Sequence, residues 1–417
     1  MLNRYKLSNG LEVVTERLPH LKTASVGVWV KAGSVDESVP EASGASHFCE
    51  HMLFKGTRDR TYQQISIDIE KNGGVINAFT SKESTTYYVR CLDDHLLDSI
   101  DVLADIMFNS LFDAGEIEKE KTVILEELKM YTEDHQDYAA ELINMAVFND
   151  SLLGQPILGT EKSISSMEQD ILRDYVFHRY RSDSTFISVV GNFDEKELEE
   201  YLEEKFGMLI IGADPRWTFE TGKSGPEYHN VVRDIEQTQL IFGTKGAKAK
   251  DADLQAHKLY SYILGGGMAS RLFVKVREEL GLAYNVGAAT GAHIEDGIFE
   301  IYAAVANDKT TLAAAAIKDV VSELAQTGAL PEELSMAKQM LKSTFTFSNE
   351  SSVSRMMRYG RGLTVLDEIK SEEQIVSEID AVTNEDILAV AQKFSDFRDY
   401  SVVTVGGIEL DPKCLIS

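Results

Sequence analysis

The sequence predicts an α+β protein of two homologous domains, each an antiparallel-rich mixed β-sheet covered by α-helices. Three observations predict it. Strand-like and helix-like stretches follow one another in the order strands, helices, strands. That order recurs about 200 residues further on, too long a period for a solenoid unit. The chain of 417 residues is also long for one compact core and comfortable for two.

Thr23 to Ala32 alternates as a half-buried strand does, and Ser43 to Lys55 has helical spacing. Asn77 to Ser81 and Thr85 to Leu92 read as a hairpin around Lys82-Glu83-Ser84. Asp93 to Phe108 and Glu116 to Tyr131 repeat apolar residues at intervals of three and four, the pattern of amphipathic helices. The second copy begins near Gln237, where Gln237 to Gly243 corresponds to Thr23 to Trp29. His257 to Gly266 then matches the helix His47 to Gly56 at an offset of 210 residues. Gly297 to Tyr302 and a long alanine-rich helix continue the parallel with Ser84 to Met107. Pro215, Gly222 and Gly225 mark the connector. The expected boundaries are 1–213 for the first domain, 214–230 for a linker and 231–417 for the second.

A content of 43% apolar and 26% charged residues is ordinary for a soluble globular protein. The net charge of −27 argues against nucleic acid, whose phosphates demand a basic face, and gives no attraction to anionic membranes. It suits a cationic partner steered by the summed field, or it serves solubility alone. No uninterrupted apolar run reaches the roughly 18 residues of a membrane span. Met1 to Lys6 lacks the apolar core of a secretory signal and the Arg-rich look of a transit peptide, so a cytoplasmic location is expected. Cys49, Cys91 and Cys414 are far apart and form no CxxC pair, which argues against a disulfide scaffold or a cysteine-rich zinc finger. Cys414-Leu415-Ile416-Ser417 formally fits a prenylation signal, but no polybasic stretch supports it.

The chemistry concentrates in His47-Phe48-Cys49-Glu50-His51. Residues four apart share a helix face, so His47 and His51 can direct their imidazoles at one point, with Glu50 bordering the same face. Two neutral imidazoles suit zinc and leave room for a carboxylate and a water, which Glu50 can deprotonate. A helix with two partly exposed histidines fits the same spacing. Glu127 lies four after Val123, three after Ile124 and three before Met130, which sets a carboxylate beside an apolar stripe. An unpaired charge there is costly unless a cation meets it. Glu120 stands two turns earlier on the same side, so these two are the candidates for a zinc ligand and its supporting carboxylate. A surface salt bridge is the competing reading of the same spacing. Cobalt or manganese suits the same ligands.

The stretch Ala45 to Thr57, ASHFCEHMLFKGT, resembles the signature of the pitrilysin, insulinase and mitochondrial processing peptidase family. Glu127, separated from His51 by 75 residues, stands at the family's spacing. The resemblance implies one zinc per chain held by His47, His51 and Glu127, with Glu50 as general base assisted by Glu120. Asn77-Ala78-Phe79-Thr80 resembles the family's edge strand for docking extended peptides. Ser270 to Phe273 and Val276 to Tyr284 resemble its distal motif, whose substrate-holding arginine and tyrosine map onto Arg277 and Tyr284. Two departures stand out. Cys49 replaces a bulky aliphatic residue and is expected to be buried packing. His257, Tyr260 and Ser261 stand where His47, Glu50 and His51 stood, so the second domain is expected to be non-catalytic. The resemblance, which spans nearly the whole chain, thus implies a zinc metalloendopeptidase of the short processing-peptidase type, acting on extended and possibly basic peptides. A homodimer, or a heterodimer with a related subunit, is the expected assembly. The alternative is a non-catalytic substrate-binding or scaffold subunit, although such subunits generally lose part of HxxEH.

Overall fold

The computed structural model describes residues 2–37, 40–149, 151–212 and 225–416, so most of the expected connector at 214–230 lies outside the described residues. In chain order the first half forms β1 (Leu2–Lys6), β2 (Glu12–Arg17), β3 (Thr23–Val30), α1 (Ala45–Leu53), α2 (Tyr62–Glu70), β4 (Val75–Thr80) and β5 (Thr85–Leu92). It continues through α3 (Leu96–Asn109), α4 (Ala114–Glu133), α5 (His135–Val147), α6 (Glu161–Ser165), α7 (Gln169–Arg179), β6 (Thr185–Gly191) and α8 (Glu195–Phe206). The second half forms β7 (Tyr228–Val232), β8 (Gln237–Lys245), α9 (Leu254–Gly265), β9 (Ala283–Ala292), β10 (Gly297–Ala306), α10 (Thr310–Thr327) and α11 (Pro331–Ser348). The last elements are α12 (Ser352–Arg361), α13 (Glu372–Ala381), α14 (Asn384–Lys393) and β11 (Ser401–Gly406). Every element read from the sequence is present, with ends moved by a few residues.

The first sheet has the order β1-β2-β6-β3-β5-β4 and the second β7-β11-β8-β10-β9. In each, one parallel pair (β2 with β6, β7 with β11) adjoins a run of antiparallel pairs. The second sheet therefore repeats the first without its β1, and the internal repeat of the sequence is a repeat of topology. Central strands carry side chains buried on both faces, so β3 is buried from Ala24 to Val30 and β6 throughout, in place of the half-buried alternation expected for Thr23 to Ala32. β4, at the sheet edge, alternates between exposed and half-buried positions.

Two compact units result, and each borrows a segment from the other half of the sequence. The segment 130–154, which holds α5, belongs with the second sheet and packs on β8 and β11. The segment 347–369, which holds α12, belongs with the first and packs on β3 and β6. Close approach demands glycine at the first of these contacts: a Cβ on Gly243 would meet Ile143 of α5 at 2.5 Å. At the second, α12 and the turn that follows it bury Met356, Tyr359 and Leu363 against Val14, Trp29, Phe186 and Val190. The Trp29 indole donates to Ser188 Oγ at 2.8 Å, and Arg355 and Tyr359 both reach the Glu16 carboxylate at 2.6 Å.

A Cβ on Gly360 would lie 2.0 Å from the Trp29 ring. Gly360→Ala is therefore expected to destabilise the first unit by about 1–3 kcal/mol, the usual cost of overpacking. The urea midpoint should fall with the slope unchanged.

Candidate metal centre

Helix α1 turns Phe48, Cys49, Met52 and Leu53 into the core, leaving His47, Glu50 and His51 on its other side. Cys49 is fully buried and its thiol donates to Leu172 O at 3.6 Å, so it is packing, as expected from its place two residues after His47. The His47 and His51 rings stand with centroids 4.6 Å apart. Glu127 reaches them from α4, its Oε2 lying 3.8 Å from His47 Nε2 and 3.6 Å from His51 Nε2. Among the described residues these three form a His/His/Glu group whose ligand atoms all lie within 4.8 Å of one another.

Glu120, 2% exposed, accepts both an imidazole and an ammonium. Its Oε1 lies 2.8 Å from His51 Nδ1 and its Oε2 lies 2.7 Å from Lys55 Nζ. Against the desolvation that burial imposes, these partners hold its carboxyl below the ordinary carboxylate range. An ionised Glu120 makes Nδ1 of His51 the protonated nitrogen and leaves Nε2, the one facing Glu127, with a free lone pair. Burial, helped by the neighbouring His51, lowers the His47 pKa to about 3, so that ring stays neutral. Its Nδ1 is buried and has no hydrogen-bond partner.

The residues present fit a zinc ion. Two imidazoles and one carboxylate converge from two helices, a carboxylate fixes one imidazole from behind, and the set matches a three-ligand catalytic site. Glu50 stands beside this group without belonging to it. Burial raises its pKa, opposed by a hydrogen bond from Thr80 Oγ1 to Glu50 Oε2 at 2.5 Å. Removing the support behind His51 has a readable effect: Glu120→Gln should weaken zinc affinity about 10- to 100-fold, measured by competition with a chromophoric chelator.

Asn77, Ala78, Phe79 and Thr80 lie on the free edge strand β4, which packs beside α1. The Asn77 side chain accepts from the Ala78 N–H at 2.8 Å, Phe79 stands edge-on to Trp29 at 5.9 Å, and Thr80 holds Glu50. Arg277 and Tyr284 lie in the second unit, where the guanidinium sits 5.0 Å from the Tyr284 ring and 4.7 Å from that of Phe273. The apolar stripe expected beside Glu127 is only partly buried. Ile124 is fully buried, but Val123 and Met130 are 49% and 70% exposed, so Glu127 stands on a half-exposed flank of α4. Lys55 and the Thr80 contact to Glu50 were not read from the sequence, because both act across elements. At the corresponding place in the second unit, Tyr260 packs on Phe299 and Phe394 at 5.4 and 5.7 Å and His257 stands edge-on to Phe394, a filled core in place of a metal cluster.

Residues 12–161 match the family model for insulinase (peptidase family M16), and residues 166–341 match the peptidase M16 inactive domain. The chain is 35% identical over 409 residues to the uncharacterized zinc protease YmxG of Bacillus subtilis, covering 97% of this chain and 98% of that protein. It is 35% identical over 407 residues to an uncharacterized zinc protease of Mycobacterium leprae, covering 97% of this chain and 91% of the relative. A crystal structure of a protease from Helicobacter pylori shares the fold at a TM-score of 0.91 and 21% identity, over 97% of this chain and 99% of that one. Sequence similarity over nearly the full chain, together with the two family models that match residues 12–161 and 166–341, makes this chain a member of peptidase family M16, the insulinase family.

Proposed function

We propose that this chain is a zinc metalloendopeptidase that cuts peptides bound in extended form. The observation that carries the reading is the convergence of His47, His51 and Glu127, with Glu50 beside them and outside the ligand set. Zinc held by those three supplies Lewis acidity toward a carbonyl oxygen and makes water more acidic. An extended peptide adds to the free edge of β4 by main-chain hydrogen bonds, and Asn77 releases the Ala78 N–H as it does so. Glu50, oriented by Thr80, takes a proton from the attacking water and delivers it to the leaving amine. Glu120 and Lys55 keep the His51 ring in one orientation throughout. The family resemblance assigns Arg277 and Tyr284 to holding the substrate, in the same chain or across a pair of chains. The net charge of −27 favours basic peptides, and a dimer is the proposed assembly.

The reading is tested by incubating the protein with a mixture of unlabelled peptides and identifying the products by mass spectrometry. Internal cuts, enriched in Lys- and Arg-containing peptides and suppressed by 1,10-phenanthroline, are expected. Trimming from the ends alone, or cleavage indifferent to the chelator, contradicts it.

A further inference from the structure

We propose that Glu37 is a positioning residue of the metal centre: its carboxyl group caps the first turn of α1 from outside the helix and thereby sets the direction of the face bearing His47, Glu50 and His51. The proposal rests on the reading of that face as a zinc site.

A helix start exposes backbone N–H groups that a Ser, Thr, Asp or Asn side chain at the cap position ordinarily satisfies. The cap of α1 is Gly44, which has no side chain and a left-handed φ of 88°. No other residue fits there, because a Cβ would lie 2.6 Å from Leu158 O and 2.7 Å from Ile164 Cδ1. Close packing against the segment before and within α6 thus removes the helix's own cap. Glu37 supplies the acceptors instead. Its Oε2 accepts from Gly44 N at 2.7 Å, and its Oε1 accepts from Ser46 N at 2.9 Å and from the Ser46 hydroxyl. Both oxygens are therefore committed to the helix end, one residue short of His47.

The carboxyl is 1% exposed, and burial pushes its pKa up to about 8 against the hydrogen bonds from Ser46 and Gly44. So costly a group is kept in the core with all its contacts directed at one helix start. Its own base is fixed as well. Ser34 N and Val35 N donate to Ser81 O and Lys82 O at 3.3 and 3.0 Å, which pins the preceding turn to the end of the β4–β5 hairpin. The same short turn therefore ties the strand that carries Thr80 to the helix that carries Glu50, so the peptide edge and the metal face are held in one frame.

The test uses full-length wild type, Glu37→Gln and Ser46→Ala, each loaded with cobalt for its visible spectrum and titrated with zinc against a chromophoric chelator. Glu37→Gln keeps the volume but turns an N–H donor toward one of the helix N–H groups. The expected result is an altered cobalt spectrum and a zinc affinity weaker by about 10- to 100-fold, the range found for residues behind metal ligands. Ser46→Ala, which loses only the hydroxyl contact, should shift both in the same direction by less. A purely structural Glu37 would lower the melting temperature of apo and loaded protein equally and leave spectrum and affinity unchanged, which overturns the proposal. Should Glu37→Gln fail to fold, an unshifted Ser46→Ala overturns it as well. Wild type that takes up neither metal overturns the zinc reading and this proposal with it, an outcome distinct from a wild type that binds while the variants match it.

Discussion

Glu50→Gln is expected to lower kcat/KM for peptide hydrolysis by roughly 10²- to 10⁴-fold, the range of general base catalysis, while the protein still binds one zinc. Glu50 is not one of the three converging groups, so its replacement leaves His47, His51 and Glu127 in place. The amide is isosteric and can still accept from Thr80 Oγ1, so the local fold should persist. What it loses is the ability to take a proton, and burial has already raised the carboxyl's readiness to hold one. Steady-state rates on a quenched peptide, with zinc measured in the same samples by atomic absorption, check this. A variant that loses zinc together with activity would move Glu50 into the ligand set.

Glu127→Ala is expected to act by the opposite route, removing metal first and activity as a consequence. Two imidazoles alone leave an incomplete three-ligand site, so zinc should no longer be retained through dialysis. Linkage gives an independent reading. At a zinc concentration 100 times the dissociation constant, a single site stabilises the folded wild type by about 2.7 kcal/mol. The melting temperature of wild type should rise on zinc addition, and that of Glu127→Ala should not move. An equal rise in both would place the ion elsewhere.

Much of this centre is local in the chain, and that is why it was legible. Two histidines four residues apart must share a helix face, and β4 and β5 follow from alternation and a short turn. The topological repeat was visible because the corresponding strand and helix recur in the same order at nearly the same offset, 214 and 210 residues. Contacts that join distant segments carried no such signal. Lys55 meets Glu120 only because α4 lies alongside α1, and Thr80 meets Glu50 only because β4 is the neighbouring edge. The exchange of α5 and α12 between the two units is likewise a tertiary choice. Gly360 and Gly243 mark those contacts, but a glycine in a helix or strand does not say which partner requires it. Glu127 shows the mixed case: the spacing singled out the carboxylate that converges with both imidazoles, although Val123 and Met130, two of the three apolar residues beside it, face solvent.

The most direct measurement is to strip wild type of metal, add zinc back in steps, and follow hydrolysis of a quenched basic peptide against zinc bound per chain. The account predicts no cleavage in the stripped protein and a linear return of activity that reaches its plateau at one zinc per chain. Cleavage that persists without metal, or a fully loaded protein that cuts nothing across a broad peptide set, would contradict it.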